Sequence, residues 1–173
     1  MKNNILFFLF ILIFDCLIII NANSNEPFKF NVTEIEIIDN GNTIKGIKGG
    51  VVTTDSGLKI EANTFVYDKI LNILNAHGSV KITDVVNDYQ IFSEKITYIK
   101  KQEKIFTNGK TKVILESQYT FTSKNVLFLK NEMILSSSEK SSLDDGELNL
   151  YKFDEFEYSM NEEILKAKKI EII

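Results

Sequence analysis

One pattern of residues recurs four times along the chain, at spacings of 31, 30 and 30 positions and without a gap. Phe65, Ile96, Val126 and Phe156 fall in one column, and Tyr67, Tyr98, Phe128 and Tyr158 in a second. Leu74, Ile105, Leu135 and Leu165 form a third, and upstream Ile60, Ile91, Phe121 and Tyr151 a fourth. The small residues Ala76, Thr107, Ser137 and Ala167 make a fifth. Chance supplies one such column easily and five only rarely. A fixed period of this length marks a supersecondary unit that cannot bury its apolar face alone and stacks on its neighbours.

Within each unit the apolar residues alternate. "LKIEA" sets Leu58, Ile60 and Ala62 on one face with Lys59 and Glu61 on the other; "FVY" continues with Phe65 and Tyr67, and "SVKI" with Val80 and Ile82. Period two over short runs, interrupted by "TDSG", "AHG" and "TNG", reads as half-buried antiparallel strands separated by turns. No sustained run has the three-and-four spacing of a helix. Thirteen Phe and six Tyr, with no Trp and one Pro, agree with β structure. Each unit therefore supplies two strands, and with the preceding "IKGIKGGVVTT" the total is about eight to eleven. The expected fold class is all-β, an antiparallel sheet folded over on itself as a jelly roll. The polar segment "SSSEKSSLDDGE" from Ser136 to Glu147 is expected to be a loop between the third and fourth units.

The amino terminus has a different character. Lys2 precedes the apolar run "ILFFLFILIFDCLIII" and the small polar "NANSNEP", the layout of a secretory signal over residues 1–22, with cleavage near Ala22 or Ser24. Asp15 within the run disfavours a permanent membrane span, because a carboxylate at mid-bilayer is costly. An uncleaved anchor is the alternative. "LIFDC" lacks the small residues that lipidation of Cys16 needs, so a cleaved chain has no cysteine and is no disulfide scaffold. The remaining residues, 27–173, make one domain; 173 residues at 44% hydrophobic content suffice for one core.

Charge and residue type narrow the function. The net charge of −4 argues against a nucleic-acid partner. All twenty basic residues are Lys, which removes the side chain best suited to bidentate recognition of phosphate or carboxylate. The one histidine, His77, is expected at a hairpin tip in "NAHGS", a poor place for a nucleophile–histidine pair. One His and no mature Cys cannot furnish the usual zinc ligands. Asp144 and Asp145 lack the ligand spacing of a calcium loop. No glycine loop is laid out for phosphates. The reading is therefore of a non-enzyme with no catalytic residues, no metal and no cofactor.

The stretch "GGVVTTDSGLKIEANTFVYDKILNILNAHGSVKI" resembles the OstA-like repeat of the lipopolysaccharide transport proteins, LptA and the amino-terminal domain of LptD. The likeness rests on an alternating strand, Phe-x-Tyr, a polar turn and "LNA-x-G-x-V-K-I"; it is close from Val51 to Val113 and looser to Ile172. It implies a periplasmic β-jelly roll that cradles the acyl chains of lipopolysaccharide and stacks edge to edge with similar domains, reaching an outer-membrane LptD-type barrel. On that reading the lining of the groove is Ile60, Phe65, Tyr67, Val80, Ile82, Ile91, Tyr98, Val113, Phe121, Phe128, Phe156 and Tyr158. Departures are the missing carboxy-terminal barrel of LptD and the missing cysteines. They leave a standalone LptA-like bridge, the front of an LptD cut within the apparent strand "KIEII", or an LptC-like anchored domain.

Two further alternatives follow from the strands alone. A small outer-membrane barrel would need a charge-free outer band, which "KIEA" and "SEKITYIKKQEKI" do not give. A structural repeat scaffold of the cell envelope would interlock the inward columns into a closed core, where a lipid carrier would keep them as an accessible groove.

Overall fold

The computed structural model describes residues 26–173. The secretory signal, Asp15, Cys16 and the cleavage positions expected from the sequence lie outside the described residues. Fifteen strands follow in order: β1 (Phe28–Ile38), β2 (Thr43–Thr54), β3 (Lys59–Ala62), β4 (Thr64–Asp68), β5 (Ile73–Asp84), β6 (Tyr89–Ile99), β7 (Lys104–Leu115), β8 (Tyr119–Lys124), β9 (Leu127–Leu129), β10 (Ile134–Ser137), β11 (Ser141–Asp144), β12 (Leu150–Phe153), β13 (Glu155–Ser159), β14 (Ile164–Lys168) and β15 (Glu171–Ile172). All pairings are antiparallel and belong to one sheet. Among the described residues no helix is long and apolar enough to cross a membrane.

The sheet divides into two halves. One runs β1–β2–β3–β5–β6–β7–β8–β11–β12–β15. The other runs β1–β2–β4–β5–β6–β7–β9–β10–β13–β14. The long strands β1, β2, β5, β6 and β7 belong to both, and their registers slip where they pass from one half to the other, at Val32/Glu34, His77/Val80 and Ser93/Lys95. An extra residue in one strand of an antiparallel pair bends it and sharpens its twist. Gly78 (φ +82°) and Gly109 (φ +86°) sit at two of these bends. A side chain at Gly78 would be doubly excluded, since a Cβ there would lie 2.5 Å from the Asn63 amide nitrogen. Elsewhere the crease is a complete break, as between β3 and β4, where the Asn63 N–H donates to the Gly78 carbonyl at 3.0 Å.

Folding at the crease lays the halves face to face. Phe28 of the first half meets Tyr67 and Tyr98 of the second, with ring centroids 4.8 and 5.6 Å apart. Tyr89 meets Phe128 at 4.9 Å, and Phe121 meets Phe156 and Tyr158, both at 5.1 Å. Edge-on and offset aromatic pairs of this kind add about 0.5–1.5 kcal/mol each beyond the area they bury. The expected all-β fold, an antiparallel sheet folded over in repeated units, is what the chain adopts.

Several expectations need correction. There are fifteen strands rather than about eight to eleven, because each unit crosses both halves twice and the crease divides many crossings in two. "AHG" and "TNG" are bends inside β5 and β7, not turns between strands. The reversals at that end of the sheet fall instead in residues 69–72, 100–103, 130–133 and 160–163, where Asn72, Glu103, Met133 and Glu163 each take positive φ. His77 consequently lies mid-strand, opposite Thr64 and Lys95, rather than at a hairpin tip. The segment 136–147 is not simply a loop, since it contains the end of β10 and all of β11. Ser141 and Leu143 point inward there, and the Ser141 hydroxyl pairs with that of Ser123 at 2.7 Å, so the polar composition hides a buried strand. Among the described residues the sheet does not close on itself: β1 pairs with β2 alone, β14 with β13 alone and β15 with β12 alone, and the outer face carries the lysines and glutamates. The described strands therefore form an open folded sheet rather than a closed barrel.

Candidate functional site

All twelve residues expected to line a groove point between the halves. Six stand on the first half-sheet (Ile60, Val80, Ile82, Ile91, Val113, Phe121) and six on the second (Phe65, Tyr67, Tyr98, Phe128, Phe156, Tyr158). Each is buried, Tyr158 being the most exposed at 9%.

The strand registers arrange them in rows. On the first half, Phe30, Val52, Ile60, Ile82, Ile91, Val113, Phe121, Leu143, Tyr151 and Ile172 are successive cross-strand partners. On the second, Ile37, Ile44, Tyr67, Leu74, Tyr98, Ile105, Phe128, Leu135, Tyr158 and Leu165 form the matching row. Ten strands at about 4.8 Å make each row about 43 Å long. The rows stay apolar to the outermost strands, where Ile37 is 62% and Ile172 65% exposed. Near the crease the lining changes to hydroxyls. Thr111 Oγ1 donates to Thr107 Oγ1 at 2.7 Å, and Ser137 Oγ donates to the Lys124 carbonyl at 2.7 Å, which satisfies these small polar groups at the tightest part of the fold.

The side opposite the crease, where the hairpin turns of the two halves meet, is a mouth closed by charge. Lys69 reaches from the second half to Glu26 at 2.9 Å, and Lys100 to Asp55 of the first half at 2.9 Å. Glu103 gathers the Tyr98 hydroxyl and Lys100 as hydrogen-bond donors, with Lys130 at 3.7 Å. The Lys100 ammonium beside Asp55 holds that carboxyl below its usual range. Burial works against the charge of Lys100, but Glu103 and Asp55 outweigh it and raise its pKa. Burial likewise pushes Asp84 up, yet hydrogen bonds from Asn87 and the backbone N–H groups of Val86 and Asn87, with the charge of Lys130, hold it below the usual value. The Tyr89 hydroxyl is buried facing the Asp84 carboxylate without a hydrogen bond of ordinary geometry, and burial together with the charge and nearness of Asp84 pushes its pKa up.

This latch was not among the residues the sequence reading singled out, although its signal was present. Lys69, Lys100 and Lys130 stand 31 and 30 positions apart, on the same period as the apolar columns. In the fourth unit the position is Met160, and no ion pair can form there. At that end a cavity of about 280 Å³ opens between the halves, walled by Tyr119, Leu143, Tyr151 and Leu165 and rimmed by Gln118, Asp145 and Glu147.

No family model matches the sequence, and no curated protein matches it. Among solved structures the chain aligns with LptH from Pseudomonas aeruginosa, described as the LptA-homologous periplasmic component of the lipopolysaccharide transport device. The two are 16% identical, and the alignment covers 85% of this chain and 94% of that one at a TM-score of 0.49.

Proposed function

We propose that this chain is an exported, periplasmic module of lipopolysaccharide transport that shields acyl chains between its two half-sheets and joins similar domains through its free edges. The observation that carries the reading is the pair of apolar rows, which run unbroken from edge to edge and are still apolar at β1, β14 and β15. Enclosing an acyl chain along such a row is worth about 0.8 kcal/mol per methylene. The resemblance of Val51–Val113 to the OstA-like repeat supports the same cargo. The gap walled by Tyr119, Leu143, Tyr151 and Leu165, in the unit that lacks a latch lysine, offers the place where the halves part at least cost, and unpaired strand edges can template another sheet, including that of an LptD-type barrel partner. Nothing in this role calls for catalysis; the driving energy comes from partners.

One observation favours the structural envelope scaffold instead. The twelve inward residues interlock, as the contact of Phe121 with Phe156 at 5.1 Å illustrates, so the carrier must open to load. Photocrosslinking separates the two. A photoactivatable residue at Phe65, Tyr98 or Phe128 is expected to form adducts with lipopolysaccharide, while the exposed Lys59 is not. Weakening the latch with Asp55→Asn is expected to raise the yield. Absence of lipid adducts at all three inward sites, in a folded and exported protein, leaves the scaffold.

A further inference from the structure

A second site lies outside the interior. Beside the crease of the first half-sheet, a groove of about 470 Å³ is bordered by Lys110, Lys124, Lys140, Lys152 and Lys169. Two carboxylates, Asp154 and Glu171, share it, so five lysines leave three positive charges in excess. That excess sits on a chain whose net charge is −4. Among the described residues only Lys169 of the five has a carboxylate within ion-pair distance, Asp154 at 2.7 Å.

The lysines are not scattered. Lys110 and Lys124 are direct cross-strand partners on β7 and β8, an arrangement in which like charges repel and weaken the sheet. Thr122 and Ser142, direct partners on β8 and β11, add two hydroxyl-bearing residues to the lining. Ser123 and Ser141, 4% and 7% exposed, also border the groove, but their hydroxyls turn inward and pair with each other. A solvated lysine face would spread its charges; this one concentrates them around a concavity. The volume falls in the range that holds a compact ligand rather than a single ion.

We infer that this groove binds a phosphate-bearing ligand, a pyrophosphate or phosphomonoester group held by ammonium charges and the Thr122 and Ser142 hydroxyls. Lysine serves phosphate as a mobile point charge, and Arg, the alternative, is absent from the chain. Three excess charges match a di- or trianion. The phosphate belongs either to a lipid headgroup or to a soluble molecule. The groove is separate from the apolar rows, so the inference stands whether or not the interior admits lipid.

The test is a titration of the full chain with inorganic pyrophosphate, followed by backbone amide shifts and calorimetry at low and high salt. Shifts are expected at residues 122–124, 140–142 and 152–154, with binding weakened at least tenfold by the double substitution Lys110→Gln/Lys124→Gln and by added salt. Because that substitution removes a repelling pair, the urea midpoint is expected to hold or rise, which separates lost binding from lost folding. Lys59→Gln, elsewhere on the first half-sheet, is the control and leaves binding unchanged. Capture by phosphatidylcholine vesicles carrying phosphatidic acid, competed by pyrophosphate, assigns the site to a lipid headgroup; pyrophosphate binding without vesicle capture assigns it to a soluble phosphate. Undiminished binding in the double variant, an equal loss in Lys59→Gln, or no binding of either probe would overturn the inference.

Discussion

Lys100 Nζ lies 2.9 Å from Asp55 Oδ1, and this contact joins a turn of one half-sheet to a turn of the other across the mouth of the fold. Asp55 is well exposed while Lys100 is mostly enclosed, so the pair is discounted for solvent and worth about 0.5–1 kcal/mol. Asp55→Asn is expected to lower stability by that amount at pH 7. The sign with pH follows from the depressed pKa of Asp55: the stabilisation is complete above the ordinary value of 3.8 and is lost as pH falls through the folded value. Urea unfolding of the wild type and the variant should therefore differ at pH 7 and converge in strong acid.

The buried Tyr89 hydroxyl has lost its hydration and faces Asp84 without a hydrogen bond of ordinary geometry. An unsatisfied buried polar group of this kind costs about 1–3 kcal/mol. Tyr89→Phe keeps the ring packed on Phe128 and removes the oxygen, so the variant should be more stable than the wild type by about 1 kcal/mol. A urea midpoint equal to or below that of the wild type would count against this account of the site.

Alkali should unfold the protein through its interior tyrosines. Burial raises Tyr67 to about 12, with help from the charges of Glu26 and Asp68, and it raises Tyr98 and Tyr158 as well. A phenol with a raised folded pKa is stabilising up to its unfolded value of 10.0, and the stabilisation falls as pH climbs beyond that point toward the folded value. Stability measured by denaturant is expected to be flat to about pH 10 and to drop above it. Absorbance of ionised tyrosine should appear in step with loss of the β-sheet circular dichroism signal.

Two glycines of the crease should respond unequally to alanine. Both have positive φ, which costs a side-chain-bearing residue about 1–2 kcal/mol. At Gly109 nothing lies within 4 Å of the new Cβ, so Gly109→Ala should cost about that much and no more. At Gly78 the Cβ would collide with the Asn63 side chain at 2.5–2.9 Å, so Gly78→Ala should cost more, about 3 kcal/mol. Chemical denaturation of the pair under one condition is sufficient to rank them.

The inward faces were legible in the sequence because alternation and the 30-residue period agree. A residue such as Phe128 or Ile91 is marked twice, once by its neighbours and once by its column. The crease was not legible, because "AHG" and "TNG" have the composition of a hairpin turn, and only the pairing of Ala76 with Ile96 and of Thr107 with Ile96 shows the strands running on through it. β11 escaped because Ser141 is polar yet buried against another hydroxyl, a compensation that no single segment displays. The latch lysines escaped for a related reason: an isolated lysine reads as solvated until the acid across the mouth is known.

The coincidence of bend, turn and lysine on one period has a consequence for how such a chain can change in length. Insertion or loss of a whole unit, cut between equivalent points of two repeats, carries a complete set of bend, reversal and inward residues with it and leaves every other strand paired as before. A turn absorbs a single residue, as the four residues 85–88 against the three of 116–118 show, but an odd change within a strand turns the residues beyond it to the wrong face. One repeat, of thirty or thirty-one residues, is thus the step in which this sheet can grow or shrink, and the reach of its apolar rows is set by a count of repeats rather than by the details of any one of them.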